Sequence, residues 1–203
     1  MLRATMSQPP VLPVTAPRQL LLFSGHLIDA PGRPQPRFPA HKEAAAARRI
    51  GEELDRLGAG AQDLALTQGA AGGDLLFAEA CVARGVPLTL LLPLPEREFI
   101  ERSLLSCEGG EDWRARYRAL KAQLREAPHV ADDELGALPP GEDAFERANR
   151  WLLSTALAFG PARLRFIALW DGAGGDGPGG TRDMVEAVRR AHGEVCWIDT
   201  RTL

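Results

Sequence analysis

The stretch Gln19-Leu-Leu-Leu-Phe-Ser24, followed by Gly25, decides the fold class of this chain. It is a short continuous apolar run, which is the pattern of a β-strand covered on both faces. Four similar runs follow it, at residues 64–67, 87–92, 164–170 and 194–198. Strands covered on both faces are typical of parallel sheets, so the sequence predicts a parallel sheet of about five strands.

Apolar side chains recur every three or four residues between these runs, which predicts amphipathic helices. Alternation of strands and helices favours an α/β fold, a Rossmann-like three-layer sandwich with helices on both faces of the sheet. Residues 96–158 are predicted to form a helical insertion between the third and fourth strands, with about three helices. Trp113 and Tyr117 lie in one of its apolar stripes, so we interpret them as core residues rather than a stacking platform for bases.

The composition is that of one globular domain, with 45% hydrophobic and 25% charged residues in a chain of 203. Residues 1–18 contain four prolines and no periodicity, and are expected to form a flexible leader to a single domain at 19–203. No apolar run approaches the length of a membrane span, and no signal peptide is evident. The three cysteines are widely spaced, which favours a reducing, cytoplasmic location.

The charge balance bears on the choice of partner. Lys and Arg total 24 against 27 Asp and Glu, so the formal charge is −3. A surface that binds duplex DNA or RNA is usually strongly basic, and such a partner is therefore not expected. A small-molecule partner fits better, and the sequence leaves homo-oligomerisation open.

Two glycine-rich segments follow predicted strands and lead into predicted helices. Glycine lets backbone N–H groups approach an anion, and a helix N-terminus adds partial positive charge. Both segments are therefore candidate phosphate cradles. In the alternative interpretation the first segment is a connecting turn capped by Asp74, and the second is either a mobile lid or a turn capped by Thr181. The candidate ligand-binding residues in these segments are Gly69, Gly72, Gly73, Asp74, Gly179, Gly180 and Thr181.

The loop after the first strand is long and carries cationic side chains. Gly25 and His26 end the strand, and Arg33 and Arg37 could contact a phosphate or carboxylate in bidentate fashion. Alternatively, Arg37 pairs with Asp29 or Glu43, and His26 is a satisfied loop histidine.

Aromatic and acidic side chains complete the candidate site. Trp170 and Asp171 end the fourth predicted strand, where an aromatic ring can cover a nucleobase and a carboxylate can accept hydrogen bonds from ribose. Asn149 interrupts an apolar stripe, and a buried amide needs partners, so it either caps a helix or contacts a ligand. The carboxylates available for acid–base catalysis are Asp74, Glu79, Asp171 and Asp183. No metal-binding motif, serine nucleophile elbow or Walker lysine is present, so we predict no metal site and no required cofactor.

Taken together, these segments resemble the SLOG superfamily of Rossmann-like domains, which unites DprA-like and LOG-like domains. The resemblance covers nearly the whole chain from residue 20 onward, and its motifs are most similar to those of uncharacterised bacterial members. It implies a site for a nucleotide or nucleotide derivative across the glycine-rich loops, in modules that sense such ligands in signalling and anti-phage systems. The segments that carry it are Gly25-His26, Arg37-Phe38-Pro39, Gly72-Gly73-Asp74, Leu92-Pro93 with Glu98 and Phe99, Trp170-Asp171-Gly172 and Gly179-Gly180-Thr181.

One motif departs from the family's enzymes. LOG-like phosphoribohydrolases carry Pro-Gly-Gly-x-Gly-Thr-x-x-Glu, whereas this chain has Pro178-Gly-Gly-Thr-Arg-Asp-Met-Val-Glu186. It lacks the second Gly before Thr181 and has Met184 where the enzymes have Glu, so their N-glycosidase mechanism does not transfer directly. We therefore expect a module that binds or senses a nucleotide-derived ligand. The alternatives are a hydrolase that cleaves a glycosidic or phosphate bond in such a ligand, and an interaction scaffold with a vestigial site.

Overall fold

A six-stranded, all-parallel sheet forms the centre of the protein, in a computed structural model that describes residues 16–173 and 180–203. Its strand order is β4-β3-β2-β1-β5-β6, and it confirms the predicted α/β, Rossmann-like class. All five predicted strands form, each within one residue of its expected bounds. The strands are β1 (Leu20–Gly25), β2 (Leu64–Thr67), β3 (Leu88–Leu92), β4 (His129–Val130), β5 (Leu164–Trp170) and β6 (Glu194–Asp199).

The sixth strand corrects the prediction for residues 96–158. β4 pairs with the end of β3, through Leu91 with His129 and Leu92 with Val130. The predicted single insertion is therefore divided by a short edge strand, with helices before and after it. Four α-helices lie there where about three were expected: α3 (Glu96–Ile100), α4 (Gly110–Lys121), α5 (Ala131–Leu135) and α6 (Ala144–Leu157), with a π-helical turn at Glu101–Leu105.

The remaining helices are α1 (Glu43–Arg56), α2 (Gly73–Ala83) and α7 (Thr181–Arg190). Side chains of β1 alternate between two hydrophobic clusters, because successive residues of a strand face opposite sides of the sheet. Leu21 and Phe23 pack in the cluster that includes residues of α1, α2 and α4. Leu20 and Leu22 pack in the other cluster, with residues of α5, α6 and α7. Helices thus cover both faces, as predicted.

Trp113 and Tyr117 belong to the core, as expected from their spacing. Both are buried in the cluster beneath α4, and the Tyr117 hydroxyl donates a hydrogen bond to Glu96 Oε1 at 3.1 Å. The three cysteines are free and buried. No helix of the described ranges is long and apolar enough to cross a membrane.

β1 lies where the order of the strands reverses. The chain runs outward from β1 through β2 and β3 to β4, then returns to place β5 on the other side of β1. In open parallel sheets, ligands bind in the crevice outside the carboxyl ends of the strands at such a point. The fold therefore directs attention to the ends of β1 and β5.

Candidate functional site

A cavity of about 590 Å³ opens at the carboxyl ends of β1 and β5, at the point where the strand order reverses. Its lining comes from the ends of three strands, the long loop after β1, the π-helical turn, α6 and the start of α7. The lining residues are Phe23, Ser24, Gly25, His26, Leu27, Asp29, Arg33, Arg37, Gln68, Ala70, Asp74, Arg102, Ser103, Asp143, Phe145, Glu146, Asn149, Leu152, Trp170, Gly180 and Thr181.

Most of the ligand-binding residues expected from the sequence meet at this cavity. Asp171 does not line it but contacts His26, which does. Gly69, Gly72 and Gly73 lie outside its lining, and Gly179 lies outside the described residues. The expected residues that line the cavity are Gly25, His26, Arg33, Arg37, Asp74, Trp170, Gly180 and Thr181.

The start of α7 forms one side of the cavity. Gly180 is the N-cap residue of α7 and has no side chain to cap the helix, so the first turn faces the cavity without a side-chain cap. Thr181 Oγ1 lies 3.0 Å from Ser24 Oγ, which links α7 to the end of β1. The N-terminus of a helix attracts anions through its backbone N–H groups and the helix dipole.

Trp170 is held in place beside this helix start. Its indole Nε1 donates to the carbonyl of Ala173 at 2.8 Å, and its own carbonyl accepts from Trp197 Nε1 at 2.9 Å. The two indole rings are tilted by 47°, with their centroids 6.1 Å apart. The Trp170 ring is thus fixed at the cavity, partly exposed, where it could stack on a planar ligand.

His26 and Asp171 join the ends of β1 and β5. The backbone N–H of Asp171 donates to His26 Nε2 at 3.2 Å. Burial of the imidazole lowers the pKa of His26, and the neighbouring Asp171 carboxylate opposes this only in part. We therefore assign a neutral ring whose Nε2 accepts and whose Nδ1 carries the proton.

Asp29 organises the long loop after β1. Its buried Oδ2 accepts the backbone N–H groups of Arg37 and Phe38, both at 2.9 Å. The Arg33 guanidinium Nε lies 3.5 Å from Asp29 Oδ1. Asp29 is thus a partner of Arg37, as one interpretation of the sequence held, but through the backbone of Arg37. The effect is to hold Arg33 and Arg37 at the cavity.

Asp74 lies in the first turn of α2, directly after the loop that follows β2, and the N-cap residue of this helix is Gly72 rather than Asp74. Ala70 N–H donates to its Oδ2 at 3.4 Å, and the backbone N–H groups of Gln68 and Gly69 also favour its charged form. Burial outweighs these hydrogen bonds and raises the pKa of Asp74 to about 7. The N–H groups that the sequence suggested for a phosphate are therefore directed at a carboxylate of the chain itself.

The glycines at the start of α2 are placed by close packing. Gly72 adopts φ +93°, and a side chain there would bring its Cβ within 2.7 Å of the Ile28 backbone nitrogen. A Cβ on Gly73 would lie 2.9 Å from the Phe23 ring. The Gly73 N–H donates to the His26 carbonyl at 3.3 Å. These glycines let the loop after β1 cross directly over the loop after β2.

Asn149 does not cap a helix, since it lies inside α6, and contact with a ligand stays a prediction. Its Oδ1 accepts a hydrogen bond from Gln68 Nε2 at 2.7 Å. Both side chains line the cavity. This hydrogen bond satisfies the carbonyl oxygen of the Asn149 amide and links α6 to the end of β2.

Three of the four candidate catalytic carboxylates do not line the cavity: Glu79, Asp183 and Asp171, which was described above. Glu79, on α2, accepts a bidentate pair of hydrogen bonds from Arg116, at 2.8 and 2.5 Å. Asp183 lies in the first turn of α7 and is exposed. Asp74 is therefore the only one of the four candidates that lines the cavity, with Asp171 reaching it through His26.

Several lining residues were not singled out in the sequence. Ser24 and Gln68 carry a usable signal, since each stands at or just after the end of a strand. Arg102, Ser103 and Phe145 come from helical segments whose packing over the sheet no local pattern indicates. Comparison of the chain with protein-family models and with curated proteins finds no match. In the described ranges, no group of three or more His, Cys, Asp or Glu side chains could hold a metal ion.

A second cavity, of about 550 Å³, lies at the opposite edge of the sheet, near the amino ends of β2 and β3. Its principal charged groups satisfy each other, because Arg18 donates to both carboxylate oxygens of Asp63 at 2.9 and 2.8 Å. Gln19 Nε2 and the Gly60 N–H also donate to Asp63. The cavity at the carboxyl ends has the more varied chemistry, with cations, an aromatic ring and a helix N-terminus together.

Proposed function

We propose that this protein binds and senses a nucleotide or nucleotide-derived ligand in the cavity at the carboxyl ends of β1 and β5. One observation carries the proposal: the N-terminus of α7, the Trp170 ring and the guanidinium groups of Arg33 and Arg37 all border the same cavity. An anion-attracting helix end beside an aromatic ring suits a ligand that has both a phosphate and a base.

Each group has a role that follows from its position. The first turn of α7 and Thr181 would receive a phosphate, with Arg33 or Arg37 supplying positive charge from the facing loop. Trp170 would cover the base. Neutral His26 would offer its Nδ1–H to the ligand as a hydrogen-bond donor. Asp29 contributes indirectly, since its hydrogen bonds to the backbone hold both arginines in place.

We propose further that the chain is a SLOG-type domain. The motifs that suggest this family lie far apart in sequence, yet three of them, at Gly25-His26, Trp170-Asp171 and Gly180-Thr181, converge on the cavity or on each other. Convergence of this kind supports a shared ligand site.

Native mass spectrometry of the purified protein, followed by analysis of released small molecules, tests the proposal most directly. Thermal unfolding with nucleoside phosphates, cyclic nucleotides and ADP-ribose supplies a second readout, because a ligand that binds the folded state raises Tm. Arg37→Gln should weaken binding on the order of tenfold. The matched control is Arg49→Gln on the surface of α1, where Arg49 pairs with Glu52 at 2.8 Å. The proposal would be overturned if no small molecule is retained by the purified protein and no compound shifts its Tm.

A hydrolase acting on such a ligand is the second candidate, and Asp74 is the observation that favours it. Its carboxyl lines the cavity, and burial raises its pKa to about 7, where a group can serve as general acid or base. Product formation from a bound nucleotide, lost in Asp74→Asn with binding retained, would support hydrolysis. Unaltered turnover in Asp74→Asn would exclude Asp74 as the acid or base.

A further inference from the structure

The Ser103 hydroxyl is buried and has no hydrogen-bond partner among the described residues. The residue is 1% exposed, lines the cavity and lies in the π-helical turn at Glu101–Leu105. Buried hydroxyl groups in proteins are normally bonded, and single π-helical turns are frequent at functional sites. An unbonded hydroxyl on the cavity lining indicates a partner that the described chain does not supply.

The backbone of Ser103 is fixed although its hydroxyl is not. Its carbonyl accepts a hydrogen bond from the N–H of Ala71 at 2.9 Å, which anchors the π-helical turn to the loop after β2. Because the Oγ atom is buried, contact with a ligand requires the side chain to rotate about the Cα–Cβ bond toward the cavity, and that rotation breaks no hydrogen bond. The backbone therefore holds Ser103 at the cavity, and its hydroxyl can donate a hydrogen bond to a ligand.

Arg102 supplies positive charge next to this hydroxyl. It lines the cavity, and its guanidinium carbon lies 5.0 Å from the centroid of the Phe145 ring. Its ion pair with Glu98, at 3.2 Å, joins two side chains that are each about half exposed. Exposed ion pairs of this kind are weak, so Glu98 is a poor competitor for an anion that enters the cavity.

The two carboxylates that flank Phe145 on the cavity lining have partners of their own. Asp143 caps α6, accepting the N–H groups of Phe145 and Glu146 at 2.9 Å each. The Glu146 carboxylate lies 3.2 Å from Arg150 Nη1. Because both carboxylates are engaged, the guanidinium of Arg102 is the charged group beside Ser103 that can meet an anion in the cavity.

We propose that Arg102 and Ser103 form a second anion subsite of the cavity, which takes a phosphate or carboxylate group. The Ser103 hydroxyl donates a hydrogen bond to one oxygen of the anion, and Arg102 neutralises its charge. This inference deepens the proposed function and rests on it, because both use the same cavity. The α7 subsite lies beside β5, whereas the Arg102–Ser103 subsite lies against the loop after β2, so a ligand that fills both carries anionic groups at two separated positions.

Isothermal titration calorimetry of the full chain with inorganic phosphate, and separately with malonate, tests this proposal. The wild type is compared with Ser103→Ala, Arg102→Gln and Thr181→Glu, the last placing a negative charge at the start of α7. Arg97→Gln is the matched control, because Arg97 lies on the same helical segment, 94% exposed, and pairs with Glu101. Phosphate and malonate together distinguish a subsite for any oxyanion from one that requires phosphate.

We expect two phosphates per chain in the wild type and in Arg97→Gln. Ser103→Ala should weaken one of them by roughly threefold to tenfold, the range of a single hydrogen bond, and leave the other unchanged. Thr181→Glu should weaken the phosphate at the start of α7 and leave the one at Arg102 and Ser103 unchanged. One phosphate that is lost in Thr181→Glu and unaffected in Ser103→Ala would overturn the second subsite and leave the proposed function standing. One phosphate that is lost in Ser103→Ala and Arg102→Gln but kept in Thr181→Glu would support the subsite and remove the α7 cradle.

Unfolding measurements without anion separate binding from a structural role. Ser103→Ala removes a hydroxyl that makes no hydrogen bond, so the unliganded variant should be as stable as the wild type or slightly more stable. A clear loss of stability in the unliganded variant would show that Ser103 acts within the fold, and would overturn its assignment as a ligand contact.

Discussion

Nε2 of His26 lies 3.2 Å from the backbone nitrogen of Asp171 and 3.3 Å from its carboxylate Oδ1, so one ring nitrogen meets a donor and an acceptor of the same residue. The two contacts belong to different protonation states. Neutral Nε2 accepts the backbone N–H, whereas protonated Nε2 donates to the carboxylate. Burial lowers the pKa of His26, which favours the neutral state at neutral pH.

Asp171→Asn should lower the pKa of His26 further. The charge of the Asp171 carboxylate raises this pKa in the wild type, and the substitution removes that charge while keeping the backbone N–H. Imidazole ¹H–¹⁵N correlation spectra over a pH series would give the pKa and the tautomer, which we expect to be Nδ1–H. Asp55→Asn, at the far end of α1, is the control. A higher pKa in Asp171→Asn would show that the carboxylate does not act on the ring.

Asp74→Asn should change the pH dependence of stability. Burial raises the pKa of Asp74 from its ordinary 3.8 to about 7, so between these values the folded protein holds a proton that the unfolded chain releases. The stabilisation from this proton is present below the lower value and is lost as pH rises through the higher one. At about pH 8, the free energy of unfolding of Asp74→Asn should exceed that of the wild type by on the order of 4 kcal/mol.

That advantage should shrink as the pH is lowered toward the ordinary pKa of the carboxyl, because the wild type then becomes neutral at this position. Urea denaturation at several pH values measures it. The surface variant Asp133→Asn, on α5, serves as the reference. Parallel pH profiles for the wild type and Asp74→Asn would contradict the burial argument.

Gly72→Ala should destabilise the protein far more than Gly85→Ala. Both glycines have positive φ, +93° and +71°, so alanine is strained at either position. A Cβ at Gly85 meets nothing within 4 Å, whereas at Gly72 it meets the Ile28 nitrogen at 2.7 Å. We expect a cost of about 1 kcal/mol at Gly85 from the backbone alone. The clash at Gly72 should add roughly 2 kcal/mol, measured by denaturant unfolding. Equal costs at the two positions would mean that close packing is not the reason for Gly72.

Asp29→Ala should loosen the loop that carries Arg33 and Arg37. The substitution leaves two backbone N–H groups without their acceptor, at a cost of about 2 kcal/mol in unfolding free energy. Limited proteolysis should then cut within residues 30–39 faster than in the wild type. Asp29→Asn retains an acceptor oxygen, so its cleavage rate should lie between those of the wild type and Asp29→Ala. An unchanged cleavage rate in Asp29→Ala would show that other contacts hold the loop.

The sheet could be predicted because its strands are buried on both faces and therefore appear as unbroken apolar runs. β4 could not, because a strand of two residues, His129 and Val130, has no periodicity to detect. Its existence follows from pairing with the end of β3, which is a tertiary contact.

The candidate site also contains residues that could be predicted from the sequence and residues that could not. Residues that follow the strands, such as His26 and Trp170, could be predicted because parallel strands bring their carboxyl ends to one edge. Arg102 and Ser103 could not, since their place at the cavity depends on how the π-helical turn packs against the loop after β2. Glycine content alone also cannot separate an anion cradle from close packing, and at Gly72 and Gly73 the structure gives a packing reason.

The pairing of β1 has a consequence for how the protein is made. Leu20 pairs with Leu64 of β2 on one side and with Leu164 of β5 on the other. Because β5 is translated much later than β2, β1 lacks one of its two neighbours during most of synthesis. Until then β1 presents an unpaired apolar edge of the kind that promotes aggregation. Ser24 and Thr181, which meet at the cavity, are joined only after that step, so the cavity is completed late in synthesis. A nascent chain arrested before residue 164 would keep β1 open on this side, and we expect it to aggregate more readily than the folded protein.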